Sequence, residues 1–208
     1  MRQLNRDPAP PACLLKYSHG QDRWSQVTGP EKADIWIKLD AMQGGRCAYC
    51  EADLGSGKHI EHFRQQGRHP QGTFKWDNLF GSCNRPDSCG KHKDQCGPYP
   101  PADLIKPDVD DPEHFLVFAA TGTVHVRQNL SAAEQHRASE TIRIFNLNSA
   151  SLKQTRRVLL MQYLESAETF AEMAIESGDA AVIPLLQEEL ENISALPFTT
   201  AIRHILMK

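Results

Sequence analysis

Cysteine spacing is the clearest chemical pattern in this 208-residue sequence, which contains six cysteines. Cys47 and Cys50 are separated by two residues, and Cys83 and Cys89 by five. Four thiolates can close a tetrahedral zinc site, and clustered cysteines in a reducing compartment bind metal more often than they form disulfides. The spacing therefore predicts a structural zinc ion. Its expected ligands are Cys47, Cys50, Cys83 and Cys89.

Alternative roles for these thiols remain open at this point. Cys96 could replace Cys89 as the fourth ligand, although Gly90 and the Lys-rich turn after it favour Cys89. The four thiols could also be unrelated free cysteines, and Cys13 is expected to be one. A redox-active Cys47–Cys50 pair is a further reading, but the βαβ setting of such enzymes is not evident here.

Four residues near the cysteines have the chemistry of phosphodiester hydrolysis. Glu61 and His62 are adjacent, so on a strand one side chain could reach a divalent metal while the other faces the attacking water. Asn78 could orient His62, and His92 could return to the metal from the first turn after the last cysteine. The pattern predicts His62 as general base, with Glu61 and His92 holding a single Mg²⁺ or Mn²⁺ ion.

Basic residues surround this motif and could bind the phosphates of a nucleic acid. The net charge of −3 means that any such binding must come from a local patch. A plain solvated face is the competing interpretation, and His59 is expected to be a surface residue or a spare ligand. The candidate phosphate-binding residues are Arg64, Arg68, Lys75, Arg85, Lys91 and Lys93.

Composition predicts a soluble, cytoplasmic protein without a membrane partner. The 40% hydrophobic content is ordinary for a globular chain, and no stretch approaches the ~20 apolar residues of a membrane span. The opening MRQLNRDPAPP lacks the apolar core of a signal peptide.

The first half of the chain should position the motif on short elements. An extended arm and a helix over 31–42, ended by Gln43-Gly44-Gly45, make up a predicted unit 1–42. Residues 43–98 form the predicted catalytic core, which is turn-rich and has too little apolar periodicity to fold without a metal.

The second half should be mainly helical. A Pro-rich connector and a β-hairpin around Thr121-Gly122 occupy 99–130. Residues 131–208 open with the capping-box spacing of Ser131 and Glu134 and continue into long amphipathic helices, which we expect to bury a core and to dock a larger partner. The expected apolar stripe consists of Leu152, Val158, Leu159, Tyr163, Phe170 and Met173.

The segments CAYC, IEHF, WDNLFGSC and CGKHK together resemble the HNH endonucleases over about residues 43–97. The resemblance implies an α+β fold with a zinc-bound ββα-metal core between an N-terminal arm and helix and a mainly helical C-terminal region. It makes His62 the general base, Asn78 the middle Asn and Glu61 the acidic metal ligand. Where many members have C-N-x-x-K this chain has Gly90, so we assign the last ligand to His92.

Further segments, RQLNRDPAPPACLLKY and TIRIFNLN, are similar to the PtuB-like HNH subunits of Septu antiviral systems, whose relatives accompany retrons. This similarity implies an effector nuclease that cuts DNA, RNA or tRNA with a PtuA-like ATPase partner and, for retron relatives, a reverse transcriptase with its DNA–RNA product. The alternative is a zinc-stabilised, catalytically inactive nucleic-acid-binding adaptor.

Overall fold

A computed structural model describes residues 1–55 and 57–207. It has a mixed α+β architecture, as predicted, with two separate two-stranded sheets. The strands and helices, in chain order, are α1 (Gly29–Gln43), β1 (Lys58–His62), β2 (Leu79–Cys83), α2 (Cys89–Gln95), α3 (Pro112–Phe115), β3 (Leu116–Phe118), β4 (Val124–Val126), α4 (Ala132–Ile144), α5 (Ala150–Ser177), α6 (Asp179–Asn192) and α7 (Thr199–Leu206).

Helix α1 confirms the prediction of an N-terminal helix ended by glycine. It begins with a capping box, in which the Thr28 backbone N–H donates to Glu31 Oε2 at 2.8 Å. It ends at Gly44, whose φ of 61° lies in the left-handed region that glycine adopts without strain. The helix buries Ile35 and Leu39 completely, so it supplies apolar area that the turn-rich segment after it lacks.

The central unit consists of two antiparallel strands followed by a helix. Strands β1 and β2 pair with Glu61 opposite Phe80 and His62 opposite Leu79. Every residue of β2 is buried, because α1 and α2 both lie against it. Phe145, from the chain after α4, stacks on Tyr49 with ring centroids 4.0 Å apart and closes the core of this unit from outside it.

The N-terminal arm lies against this central unit. The Arg6 guanidinium donates to the carbonyl oxygens of Trp76 at 2.8 Å and Leu79 at 3.0 Å, and it lies 4.5 Å from the centre of the Trp76 ring. In return, the Trp76 indole N–H donates to the Asp7 carbonyl at 2.8 Å. These contacts fix the arm, which then passes the candidate site at residues 17–24.

The predicted hairpin around Thr121-Gly122 is confirmed by the pairing of β3 with β4. Gly122 has a φ of 80°, and a Cβ atom at this position would lie 2.2 Å from the Lys153 carbonyl oxygen. The hairpin tip therefore packs directly on the backbone of α5, which only a glycine permits.

Helix α4 begins where its capping signal predicts, and the region after it is helical, as expected. The Ser131–Glu134 capping box is formed, and α5 and α6 are separated by Gly178. The expected apolar stripe of α5 is wrong in part, since Leu152 is fully buried but Val158 is 53% exposed. Beyond Leu160, α5 lies mainly against α6 and α7, so the stripe has little core to enter.

The predicted boundaries at 42, 98 and 130 stay predictions. The buried apolar residues on either side of each boundary belong to one continuous cluster.

Within residues 1–55 and 57–207, no helix has the length and apolar character that a membrane span requires.

Candidate metal centre and active site

The predicted cysteine ligands converge in the core. The sulfur atoms of Cys47, Cys50, Cys83 and Cys89 all lie within 4.8 Å of one another, and all four residues are buried. Cys50 Sγ and Cys83 Sγ are 3.9 Å apart. Zinc at ~2.3 Å from each of four tetrahedral sulfurs would hold neighbouring sulfurs about 3.8 Å apart. The cluster could therefore bind a metal such as zinc.

Cys89, rather than Cys96, completes the cluster. The five residues after Cys83 bulge outward and bring Cys89 back to the site in a left-handed conformation with a φ of 55°. Its backbone N–H donates to the Phe145 carbonyl at 2.8 Å, which holds this uncommon conformation. Cys96 lies outside the cluster and half-exposed, with its sulfur 3.7 Å from His92 Nδ1.

The protonation of the thiols is coupled to cation binding, because the thiolate is the metal ligand. Burial would raise the pKa of Cys47, but hydrogen bonds from the other three thiols outweigh it and hold the pKa well below its ordinary value. Hydrogen bonding to Cys47 raises the pKa of Cys50, and burial raises that of Cys89. Cys47 is thus the thiol that ionises most readily, whereas Cys50 and Cys89 favour their protonated forms, and a bound dication would displace those protons.

The turn that follows Cys50 is held by the C-terminal helix α7. Glu51 has a φ of 65°, a strained value for a residue with a side chain. Its carboxylate accepts from the Thr200 backbone N–H at 3.1 Å and the Thr200 hydroxyl at 3.0 Å. Arg46 donates to the Leu196 carbonyl at 2.8 Å on the other side of the turn. The predicted helical region therefore supports the metal site directly.

Glu61 is buried inside a cluster of charged groups. Its carboxylate lies 2.7 Å from Lys93 Nζ and 3.1 Å from His59 Nε2. Burial would raise the pKa of Glu61, but the hydrogen bond from His59 and the Lys93 ammonium keep the pKa below its ordinary value. A Cβ atom at Gly90 would lie 2.3 Å from Glu61 Oε2, so the glycine provides the space that the carboxylate occupies.

Lys93 is one of the six predicted phosphate-binding residues, and that prediction is wrong for it. Its side chain is completely buried and cannot reach a phosphate. Its ammonium donates to the His62 carbonyl oxygen at 2.8 Å as well as pairing with Glu61. Burial alone would lower the pKa of Lys93, but the Glu61 carboxylate raises it above its ordinary value. Lys93 is therefore an internal cation that joins α2 to both catalytic candidates on β1.

The His62 ring is fixed by three neighbours. Nε2 donates to the Thr73 carbonyl at 2.9 Å, and the Gln66 amide lies 3.0 Å from the same nitrogen. Trp24, from the N-terminal arm, contacts the ring edge-on with centroids 4.6 Å apart. Burial lowers the pKa of His62, which favours the neutral imidazole. Trp24 lies 38 positions from His62 in the chain and belongs to no motif, so no signal in the sequence points to it.

Asn78 acts on the loop that carries Thr73 and makes no direct contact with His62 among the described residues. Asn78 Oδ1 accepts from the Arg64 backbone N–H at 2.7 Å, and Nδ2 donates to the carbonyls of Arg64 at 3.1 Å and Gly72 at 3.0 Å. Its predicted orienting role is thus possible only through the loop.

Among the described residues, no hydrogen bond and no shared cavity lining joins His92 to Glu61. His92 Nδ1 donates to the Ile144 carbonyl at 2.9 Å, so the ring faces the end of α4. It is also absent from the lining of the cavity beside His62, which has a volume of about 440 Å³. His59, expected at the surface or as a spare ligand, is half-buried and provides the imidazole that meets Glu61.

The basic candidates divide between neighbouring cavities. Arg68 and Lys91 line the cavity of about 440 Å³ together with His59, Glu61 and His62. Arg64 and Lys75 line a separate cavity of about 230 Å³ beside Asn78. Arg85 lines neither of these two.

No protein-family model matches the chain. The sequence is 26% identical over 149 residues to a Bacillus thuringiensis protein named Septu protein PtuB. The chain is thus similar to a Septu PtuB protein. The match covers 69% of this chain and 52% of that protein, so the chain spans about half the length of this curated relative.

Cys50→Ser should reduce the zinc content from one ion per chain to well below one and lower the unfolding temperature, because three thiolates and a hydroxyl bind zinc poorly. Metal analysis of purified protein and the absorption of its Co²⁺-substituted form measure this. The matched control is Cys96→Ser, which should keep the metal because its sulfur lies outside the cluster. A folded wild-type chain without metal would contradict the assignment.

Proposed function

We propose that this chain is a metal-dependent HNH endonuclease and the effector nuclease of an antiviral defence complex. The observation that carries the proposal is one cavity containing a fixed imidazole, His62, beside an imidazole–carboxylate pair, His59 and Glu61. Strand β1 and helix α2 line this cavity, and the four-cysteine cluster joins α2 to β2, the strand that pairs with β1; this is the arrangement expected of a zinc-bound ββα-metal core.

His62 is suited to take a proton from water. Its Nε2 donates to a carbonyl oxygen, which can only accept, so the neutral ring keeps its lone pair on Nδ1. The lowered pKa keeps that lone pair available at neutral pH. Asn78 then serves as a positioning residue through the loop that carries Thr73.

His59 and Glu61 are the residues that would hold the catalytic Mg²⁺ or Mn²⁺. Their nearest ligand atoms are 3.1 Å apart, as expected for two neighbours on one ion, whereas His92 points elsewhere. Such an ion would stabilise charge on the scissile phosphate and the leaving oxygen. This assignment replaces His92 with His59 and keeps Glu61.

The substrate class follows from charge at the cavity. Arg68 and Lys91 flank the catalytic candidates, and phosphates of DNA, RNA or tRNA would meet these cations first. The buried positions of Cys47 and Cys50 argue against the redox alternative, since an attacking thiol must be accessible.

The defence role rests on the similarity to the Septu protein and implies a PtuA-like ATPase partner. Residues 158–192 fit a docking role, because they contain eight acidic residues and no Lys or Arg, and they expose Met161, Ile175 and Ile183. This acidic hairpin would repel nucleic acid and attract a basic, apolar protein surface. The reverse transcriptase of retron relatives stays a prediction.

The inactive adaptor is the second candidate function, and the Glu61–Lys93 ion pair favours it. Lys93 already neutralises the carboxylate that a catalytic cation would need. Cleavage that depends on His62 separates the two functions.

His62→Ala should lower the cleavage rate by ~10²–10⁴-fold, because it removes the general base. Cleavage is measured on DNA and RNA pools with Mg²⁺ or Mn²⁺, together with zinc content and nucleic-acid binding, which should not change. The matched control is His125→Ala, an exposed imidazole on β4 that should cut at the wild-type rate. Cleavage by the wild type that survives His62→Ala would end the assigned role, and binding without any cleavage would favour the adaptor.

His59→Ala should raise the Mn²⁺ concentration needed for half-maximal cleavage by about tenfold or more, since one ligand is lost. Direct Mn²⁺ binding, followed by electron paramagnetic resonance, should weaken in parallel. The matched control is His92→Ala, which should leave both titrations unchanged because its imidazole faces Ile144. The reverse result would restore the original assignment. Glu61→Gln is a poorer test, because it leaves the Lys93 ammonium buried without its partner.

Glu168→Lys combined with Glu172→Lys should weaken co-purification with the ATPase partner and slow association by about tenfold at low salt, because two charges on one helix face are reversed. Cleavage by the isolated chain should stay unchanged. Asp34→Lys, an exposed reversal on α1, is the matched control. Unchanged co-purification of the double variant would exclude the hairpin as the docking element.

A further inference from the structure

Three adjoining cavities run along the N-terminal arm to His62. The outer one, about 670 Å³, is lined by residues that include Tyr17 and His19. The middle one, about 400 Å³, shares His19 with it. The inner one is the cavity of about 440 Å³ beside His62, and it shares Trp24 and Gln66 with the middle one. We name this row of adjoining cavities the arm groove; arm residues 17–24 form one side of it.

Aromatic rings follow the arm groove along its length. Tyr17 stacks on Phe74 with centroids 5.1 Å apart, and Trp24 lies 6.2 Å from Phe74 and 4.6 Å from His62. Tyr17, Phe74 and Trp24 are each only half-buried, so part of each ring is open to the groove. Stacking of a base on such a ring contributes ~1–3 kcal/mol and tolerates any sequence.

Each cavity of the arm groove also contains an exposed cation. These are Lys75 in the outer cavity, Arg23 in the middle one and Lys91 in the inner one. Within residues 1–55 and 57–207, none of the three side chains forms a hydrogen bond or an ion pair with the protein. Such unpaired cations are what a phosphate backbone requires.

The lining of the groove carries five basic residues against four acidic ones, namely Arg6, Arg23, Arg68, Lys75 and Lys91 against Asp22, Glu61, Asp77 and Asp94. Asp22 accepts a hydrogen bond from the Ser18 backbone N–H at 2.8 Å, and Asp94 pairs with the buried Lys93 at 2.9 Å. Glu61, at the inner end, is ion-paired with the same Lys93, and Asp77 lies at the outer end. The groove therefore keeps an excess of positive charge next to stacking surfaces.

We propose that the arm groove binds a single strand of nucleic acid, with one base stacked on Trp24 at the inner end and phosphates on Arg23, Lys75 and Lys91. The strand must be unpaired because a base can reach a ring on the groove wall only when it is free of its partner. The binding step stands by itself, and only the fate of the bound strand rests on the proposed nuclease function.

The test measures binding in a His62→Ala background, so that cleavage cannot interfere. Fluorescence anisotropy with short labelled single-stranded DNA, single-stranded RNA and duplex DNA compares three additional substitutions. Trp24→Ala should weaken single-strand binding by about tenfold, and Trp24→Phe should restore most of it. Arg23→Ala should reduce the slope of log affinity against log salt by about 0.7. Arg157→Ala, an exposed arginine on α5, is the matched control and should change neither.

Equal single-strand binding by the background, Trp24→Ala and Arg23→Ala proteins would overturn the proposal, as would a Trp24 effect confined to duplex DNA. Zinc content and thermal unfolding check the fold of Trp24→Ala, and the exposed Arg23 provides a test that folding does not complicate. Trp24-dependent binding without His62-dependent cleavage would keep the groove and reject the nuclease. Cleavage with unaltered binding by both variants would do the opposite.

Discussion

Four buried thiols hold together the segments on which the candidate site is built. They join the turn at residues 47–50, the end of β2 and the start of α2, three segments with little else in common. Buried sulfur ligands need a cation to remain deprotonated, so the geometry of this junction is coupled to metal binding. The position of Glu61 depends on this junction because β1 pairs with β2. The position of Lys93 depends on it because α2 starts at Cys89.

The Glu61–Lys93 ion pair transmits this geometry to the catalytic candidates. One ammonium binds both the Glu61 carboxylate and the His62 carbonyl, so α2 sets two successive residues of β1. A buried pair contributes little net stability but penalises any other arrangement, because separating it leaves a buried charge unpaired. Gly90 lies against the same Glu61 carboxylate. The departure from C-N-x-x-K at Gly90 provides the room that the Glu61 carboxylate occupies.

The sequence predicts those parts whose causes are local or chemically restrictive. Cysteine spacing allows few alternatives, and capping residues place the start of α4 and the end of α1 near their true positions. It misplaces residues whose environment is made by distant segments. Lys93 is assigned to the surface because an isolated lysine favours water, yet its partner comes from β1. His92 follows Cys89 by three residues, but its imidazole donates a hydrogen bond to the Ile144 carbonyl at the end of α4. Trp24 reaches His62 only because Arg6 and Trp76 fix the arm.

Overall charge is also a poor guide to what this chain binds. The whole chain has a net charge of −3, and the acidic hairpin of residues 158–192 alone has −8. The remainder of the chain therefore has +5. Screening confines exposed charges to about 8–10 Å at physiological salt, and each surface therefore acts on its own neighbours. A strand in the arm groove would meet Arg23, Lys75 and Lys91, whereas a protein at the hairpin would meet carboxylates and apolar side chains. Segregated charge lets one slightly acidic chain bind a polyanion and a basic partner without competition between them.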